Sequence, residues 1–196
     1  MEFIDYVHRL DQDISLAINN LHNMFIDQLM QFMSNKEVWF PLYLLIAVLL
    51  FKRLGWRRAL IAIVAIALTI TACDQFSNLI KDAVARLRPC YSTYMIEGKL
   101  NMLESRHDYY GFFSAHAANA FGFAISSFLL FKTDRTRLYY GYGAAIILWA
   151  TLVGFSRVFV GKHYFGDVVT GMLIGIFFGI LTATIAKLII SKYRIA

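Results

Sequence analysis

Apolar positions in the first 33 residues recur at three- and four-residue steps. Phe3, Ile4, Val7, Leu10, Ile14, Ala17, Ile18, Leu21, Phe25, Leu29 and Phe32 form that stripe, while Asp5, Asp11, Asp13 and Asp27 fall elsewhere on the surface. The period predicts one or two amphipathic helices over residues 1–36, too polar to span a bilayer and suited to lie on its surface. Beyond them the pattern changes to long apolar runs. These predict five spans: Val38 to Phe51, Ala59 to Cys73 with a more polar continuation through Asp74 toward Lys81, Ser114 to Phe131, Leu138 to Phe155, and Val168 to Ile190. Each approaches the roughly 20 residues a helix needs to cross, except the short first one. The expected fold is an all-α polytopic membrane helix bundle of about five transmembrane helices over 37–196, with the amphipathic segment in front of it.

Composition agrees. The chain has 196 residues, 59% of them hydrophobic, and a mean hydropathy of +0.56, whereas a soluble domain is roughly 45–50% apolar. A net charge of +6 raises the question of nucleic acid, but the basic residues are scattered among apolar spans rather than gathered into a patch, so no nucleic-acid partner is expected. Their placement reads as topology. Lys52, Arg53, Arg57 and Arg58 separate the first two spans, Lys132, Arg135 and Arg137 the third and fourth, and Lys187, Lys192 and Arg194 mark the C-terminus. By the positive-inside rule these segments and the C-terminus are cytoplasmic. The first 37 residues carry six acids against Arg9 and Lys36, which suits the opposite side, so the loops 74–113 and 156–167 face outward. In a bacterium that places the protein in the cytoplasmic (inner) membrane, with those loops toward the periplasm. The N-terminus lacks a basic region and an early apolar core, so no cleaved signal peptide is expected. Cys73 and Cys90 make neither a disulfide framework nor a metal-site spacing.

The outward segments hold the reactive residues. In SRVFVGKHYFGD, Ser156 to Asp167, a Ser-Arg pair is followed by His163 and, four residues on, Asp167. A carboxylate about one turn from an imidazole can hold one ring N–H and leave the other nitrogen free as a base or nucleophile. A nearby Arg suits an anion with several oxygens, since its planar fork grips phosphate through parallel hydrogen bonds. The plainer reading is solvated charge at a helix end. Two further segments, KDAVARLRP (Lys81 to Pro89) and FFSAH (Phe112 to His116), fall at helix ends on the same side and can converge with the first.

In order and spacing these three segments resemble the motifs of the type 2 phosphatidic acid phosphatase family, whose superfamily includes vanadium-dependent haloperoxidases. Lys81, Arg88 and Pro89 match Lys, six residues, Arg-Pro; Ser156, Arg157, His163 and Asp167 match Ser-Arg, five residues, His, three residues, Asp. The middle motif, Pro-Ser-Gly-His, is present as Phe113-Ser114-Ala115-His116. The resemblance covers roughly residues 60–190. It implies that His163 attacks phosphorus to form a phosphohistidine, with Asp167 fixing its tautomer. Lys81, Arg88 and Arg157 would hold the non-bridging oxygens, and Ser114 would give its hydroxyl or backbone N–H to the phosphate. His116 would protonate the leaving oxygen and then activate water. In this scheme no metal or other cofactor is required, because fixed cations carry the charge. Ala115 and Phe113 in place of Gly and Pro bear on the backbone's share of phosphate binding.

The substrate so implied is a lipid phosphate or diphosphate whose chains stay in the bilayer. Family members act on phosphatidic acid, phosphatidylglycerol phosphate, undecaprenyl diphosphate and lipid A phosphates; a bacterial envelope lipid, lipid A or undecaprenyl diphosphate, is preferred here. The loop Cys90 to Gly111, with Lys99 and Arg106, would shape headgroup choice. A lipid phosphotransferase using the same histidine is the nearest alternative. A transporter would need charge near the midplane, of which spans three to five are almost free. Asn119, one turn after His116, could support that imidazole, and Ser156 is a supporting member of its motif. Arg86 and Lys162 flank motif residues and could touch a second phosphate or sugar, with solvated charge the preferred reading; His8, His22 and His107 read as surface residues, and Tyr91, Tyr94, Tyr109 and Tyr110 as an interfacial aromatic belt. Gly171, Gly175 and Gly179 repeat every four residues, a small-residue face for packing within the bundle or for a homodimer.

Overall fold

The structure, a computed structural model, describes residues 3–105, 108–133 and 139–192. The loop charges Arg106, Arg135, Arg137 and Arg194, together with His107 and the expected span start Leu138, lie outside them. Among the described residues every regular element is a helix, and one isolated backbone bridge pairs two loop segments. Two amphipathic helices come first, α1 (Phe3–Asn19) and α2 (Met24–Ser34), the second capped by Asn23, whose side chain accepts the Phe25 and Ile26 N–H groups. A short 3-10 turn (Lys36–Trp39) leads into α3 (Phe40–Leu54), with Pro41 at its start, where a missing N–H costs nothing. Gly55, at φ 76°, turns the chain into α4 (Trp56–Val84), a left-handed geometry that Gly adopts without a Cβ clash. After α5 (Thr93–Glu97) come α6 (Ala115–Phe131), α7 (Tyr140–Phe159) and α8 (Phe165–Lys192).

Three of these helices, α4, α7 and α8, are long and apolar enough to cross a membrane, and α6 is a shorter apolar helix of 17 residues. With the 15-residue α3 they are the five apolar elements that the sequence pattern predicts. The more polar stretch after Cys73 is part of α4 itself, and α7 runs on to Phe159, carrying Ser156 and Arg157 on its last turn. Helix α6 lies at the centre, against α4, α7 and α8. The main core is formed by Ile46, Leu50, Ile66, Phe121, Phe123, Leu130, Ile146, Trp149 and their neighbours.

The glycine stripe of α8 is spent inside the chain. A Cβ on Gly171 would come 2.4 Å from the Ser114 carbonyl, on Gly175 2.2 Å from the Ala118 carbonyl, and on Gly179 2.9 Å from the Gly122 carbonyl. All three glycines are buried against α6, so within one chain this face packs on the α6 backbone.

Helix ends sort the chemistry. The C-terminal ends of α4 and α7 and the N-terminal ends of α6 and α8 all lie at one end of the bundle, together with α1 and α2. The Lys/Arg-rich α3–α4 turn and the C-terminal end of α8 lie at the other.

Candidate active site

Four helix termini deliver the side chains. Helix α4 ends at Ala85, in the left-handed conformation (φ 51°), and the chain turns there into an extended stretch. That stretch pairs with residues 109–111: the Arg88 N–H donates to the Tyr109 carbonyl and the Gly111 N–H to the Arg86 carbonyl, both at 2.9 Å, around the Leu87–Tyr110 bridge. Residues two apart in an extended segment face the same way. Arg86 and Arg88 accordingly both reach the pair His163–Asp167, one on the carboxylate and the other on the imidazole.

Arg88 Nη1 lies 3.1 Å from His163 Nε2 and 3.3 Å from the Lys162 carbonyl. A guanidinium can only donate, so Nε2 is the acceptor and the ring proton sits on Nδ1. Nδ1 lies 3.4 Å from Asp167 Oδ2, which also accepts the Tyr164 N–H at 3.0 Å. The Gly111 backbone is a further hydrogen-bond partner of the ring. His163 is 3% exposed and Asp167 fully buried. Burial first, then the positive charges of Arg88, Arg157 and Lys81, push the His163 imidazole well below its ordinary value; the Gly111 backbone bond acts the other way. Neutral His163 is therefore the resting form.

Opposite His163, one cavity of about 1190 Å³ is lined by Lys81, Arg88, His116, Asn119, Arg157, Lys162 and His163. It reaches along α4 through Asn78 and Asp74 to Ile70, about 16 Å at the rise of a helix. Trp39, Phe40, Tyr43, Phe123 and Trp149 form its apolar wall. The buried Nε–H groups of Arg88 and Arg157 have no partner among the described residues. Arg157 is paired with Glu104 (Nη1 to Oε1, 3.1 Å) and with the Ser34 hydroxyl. Such donors suit an anion with several oxygens.

Other expected residues sit differently. Ser114 caps α6: its hydroxyl accepts the Ala117 N–H at 3.4 Å, and its own N–H donates to the Asp167 carbonyl at 3.0 Å. The N–H thus ties α6 to α8, while the hydroxyl oxygen caps α6 itself. Ala115 is the first residue of that helix and is not among the positive-φ residues, so nothing there demands Gly. The Ser156 hydroxyl turns back to the Val153 carbonyl at 2.7 Å, inside its own helix. Asn119 donates to Asp74 Oδ1 at 2.8 Å rather than to His116, bridging α6 to α4. Cys73 and Cys90 are free and buried.

The sequence reading missed several members. Lys162 is 6% exposed, not solvated; its ammonium donates to the Ser105 carbonyl, and burial pulls its basicity down while Glu104 opposes that. Arg86 is clamped between Asp167 Oδ1 and Asp11 Oδ2, each at 2.7 Å. His8, expected as a lone surface residue, has Nδ1 3.3 Å from Arg86 Nη2 and an edge contact with Tyr164. Gly111 leaves room for the site: a Cβ there would meet Arg88 Cγ at 3.0 Å and His163 Nδ1 at 3.6 Å. The signal for Arg86 was its spacing two before Arg88; nothing local marked Gly111.

A family model described as the PAP2 superfamily matches residues 58–190. The chain is 36% identical over 193 residues to a lipid A 4'-phosphatase of Bacteroides thetaiotaomicron, covering 97% of this chain and 83% of that one. It is 25% identical over 179 residues to a lipid A 4'-phosphatase of Porphyromonas gingivalis, with 90% and 72% covered. Among solved structures, a transmembrane PAP2-type phosphatidylglycerolphosphate phosphatase from Bacillus subtilis superposes with a TM-score of 0.71 at 19% identity, covering 97% of this chain and 88% of that one.

Proposed function

The chain belongs to the PAP2 superfamily, and from that premise we propose that it removes the 4'-phosphate of lipid A through a phosphohistidine on His163. It is a membrane lipid phosphatase. Two lipid A 4'-phosphatases matched over most of their own length support the substrate. The single observation that carries the chemistry is the convergence of His163, His116 and the cations Lys81, Arg88, Arg157 and Lys162 on one cavity with an aromatic inner wall. Cations at the mouth suit the phosphate, and the aromatic wall suits the apolar body of a lipid.

His163 Nε2 supplies the lone pair that forms the N–P bond as the P–O bond to the lipid breaks. Arg88 covers that lone pair in the free protein, so phosphate binding must draw Arg88 off nitrogen and onto oxygen. Positive charge then developing on the imidazole is balanced by Asp167 through Nδ1. His116 gives its proton to the leaving oxygen, and in the second step takes one from the water that attacks phosphorus, returning the electron pair to Nε2. Lys81, Arg88, Arg157 and Lys162 offset the charge on the equatorial oxygens. Ser114 serves by fixing the end of α6, and so His116, rather than through its backbone N–H. In this scheme no metal takes part. The site faces the periplasmic side of a bacterial inner membrane, with the C-terminus cytoplasmic, as the Lys/Arg-rich loops at the far end support. The 1–36 segment lies at that outer interface.

The test is phosphate release by the purified full chain from lipid A in detergent, with EDTA present and with product position read by mass spectrometry. Loss of the 4'-phosphate, unaffected by EDTA and abolished in His163→Ala, is expected. Loss of the 1-phosphate instead would overturn the substrate position. Release dependent on metal would overturn the scheme, and transfer to a second lipid rather than water would make the protein a phosphotransferase.

A further inference from the structure

Helix α1 lies outside the region matched by the family model, which begins at residue 58, yet its polar stripe touches the dyad's own support. Asp11, Ser15 and Asn19 recur at four-residue steps and so share one face. Each bonds the segment that carries His163. Asn19 Nδ2 donates to the carbonyls of Val158 (3.2 Å) and Phe159 (2.8 Å) where α7 ends. The Ser15 hydroxyl accepts the Phe165 N–H at 2.8 Å, and Asp11 Oδ1 accepts the Gly166 N–H at 2.7 Å. A helix leaves its first N–H groups without internal partners. Here two such groups of α8 are capped by side chains of another helix.

The second carboxylate oxygen of Asp11 goes to Arg86, and Arg86 goes to Asp167. The guanidinium lies 4.0 Å over the Tyr164 ring, which fixes its plane, and its side chain is 17% exposed. Asp167 is fully buried, with one oxygen on Arg86 and the other divided between the Tyr164 N–H and His163. Arg86 thus holds the oxygen that His163 does not face, and shares the orientation of the carboxylate with the Tyr164 N–H. A buried carboxylate robbed of such a donor would turn to find another, and His163 Nδ1 would lose its fixed acceptor.

We propose that Asp11 and Arg86 are positioning residues for the phosphohistidine chemistry, a relay from the N-terminal helix that holds Asp167 in line with His163. Arg86 acts on Asp167, and Asp11 acts through Arg86 with its Oδ2 while its Oδ1 caps the Gly166 N–H. The inference rests on the reading of His163 and Asp167 given above. It also makes docking of α1 part of the active site, so the family-matched region lacks one link of its own catalytic support.

The experiment is steady-state phosphate release from lipid A micelles by the full chain, per folded protein, for Arg86→Gln, Arg86→Lys, Asp11→Asn and the double variant Asp11→Asn/Arg86→Gln, beside His163→Ala. Misplacement of a reacting group by about 1 Å costs up to about 100-fold. Arg86→Gln is expected to lower kcat by up to about 100-fold with KM within about twofold, and Arg86→Lys, which restores the charge, to recover part of it. Asp11→Asn keeps the oxygen that accepts the Gly166 N–H and should lower kcat by a smaller factor. In the Arg86→Gln background it should cost nothing further. Additive losses in the double variant would overturn the relay. So would variants that lower thermal stability while kcat per folded protein stays at the wild-type level, because the contacts would then be a structural clamp. If Arg86→Gln fails to fold, Asp11→Asn decides alone, and an unchanged kcat overturns the proposal. Turnover surviving in His163→Ala would sink the underlying reading instead, a separate outcome.

Discussion

A methyl group added at Gly175 tests whether the α6–α8 contact sets the site. The added Cβ would lie 2.2 Å from the Ala118 carbonyl oxygen, and 2.9 Å from both the Ala118 carbonyl carbon and the Gly122 nitrogen. All three are backbone atoms of α6, so no side chain can rotate away. Real Cβ contacts stay above 3.0 Å, so the two helices must separate or slide by about 1 Å, an overpacking strain worth about 1–3 kcal/mol. Helix α6 carries His116 and α8 carries Asp167, and misplacement by about 1 Å can cost about 100-fold in rate. Gly141→Ala is the control, because a Cβ there meets nothing within 4 Å. On α7 it should stabilise by up to about 1 kcal/mol through helix propensity. Thermal unfolding in detergent and turnover per folded protein read both variants. The account expects Gly175→Ala to lose stability and rate together and Gly141→Ala to lose neither. Full stability and rate in Gly175→Ala, or a change only in oligomeric state, would refute the internal packing of this stripe.

Gly111→Ala places a methyl 3.0 Å from Arg88 Cγ; a few tenths of an ångström of displacement should lower kcat about 3- to 30-fold with little change in unfolding temperature, and an unchanged kcat would count against Arg88 being held by this contact. Because burial and Arg88 depress His163, the nucleophile stays neutral below the ordinary histidine value of about 6.5. The acid limb of kcat/KM should therefore have its midpoint below that value. The same depression means the unfolded chain binds the proton first, so His163 contributes stability that is present above about pH 6.5 and lost as pH falls below it. A pH-rate profile whose acid limb lies above 7, or thermal stability that rises on acidification from 6.5, would contradict this.

Much of the site was legible because its residues are constrained along the chain. Lys81 and Arg88 stand at the end of one helix and His163 and Asp167 at the start of another, so spacing alone placed them at one end of the bundle. What spacing could not show was burial by partners from afar. Lys162 and Arg86 read as solvated because charge is seldom buried without a partner, and their partners Ser105, Asp11 and Asp167 lie 57 to 81 residues away. Helix α1 inverted the usual reading. In water the apolar stripe docks and the polar face is free, but here Phe3, Ile4, Val7 and Leu10 are exposed while Gln12, Ser15 and Asn19 are buried against the protein. At the bilayer surface where we propose this helix lies, the apolar face would have lipid for a partner and the polar face must find protein. The α8 glycines were ambiguous for a related reason: small residues every four positions state that a helix comes close, without stating which one.

The central claim, a covalent intermediate on His163 during turnover of lipid A, is tested most directly by rapid quench. The full chain would be mixed with lipid A carrying a radiolabelled 4'-phosphate, stopped in alkali, and the labelled peptide located by mass spectrometry. The account predicts an alkali-stable, acid-labile label on His163 in the wild type and none in His163→Ala. Label on His116, or phosphate release with no labelled protein at any quench time, would contradict it.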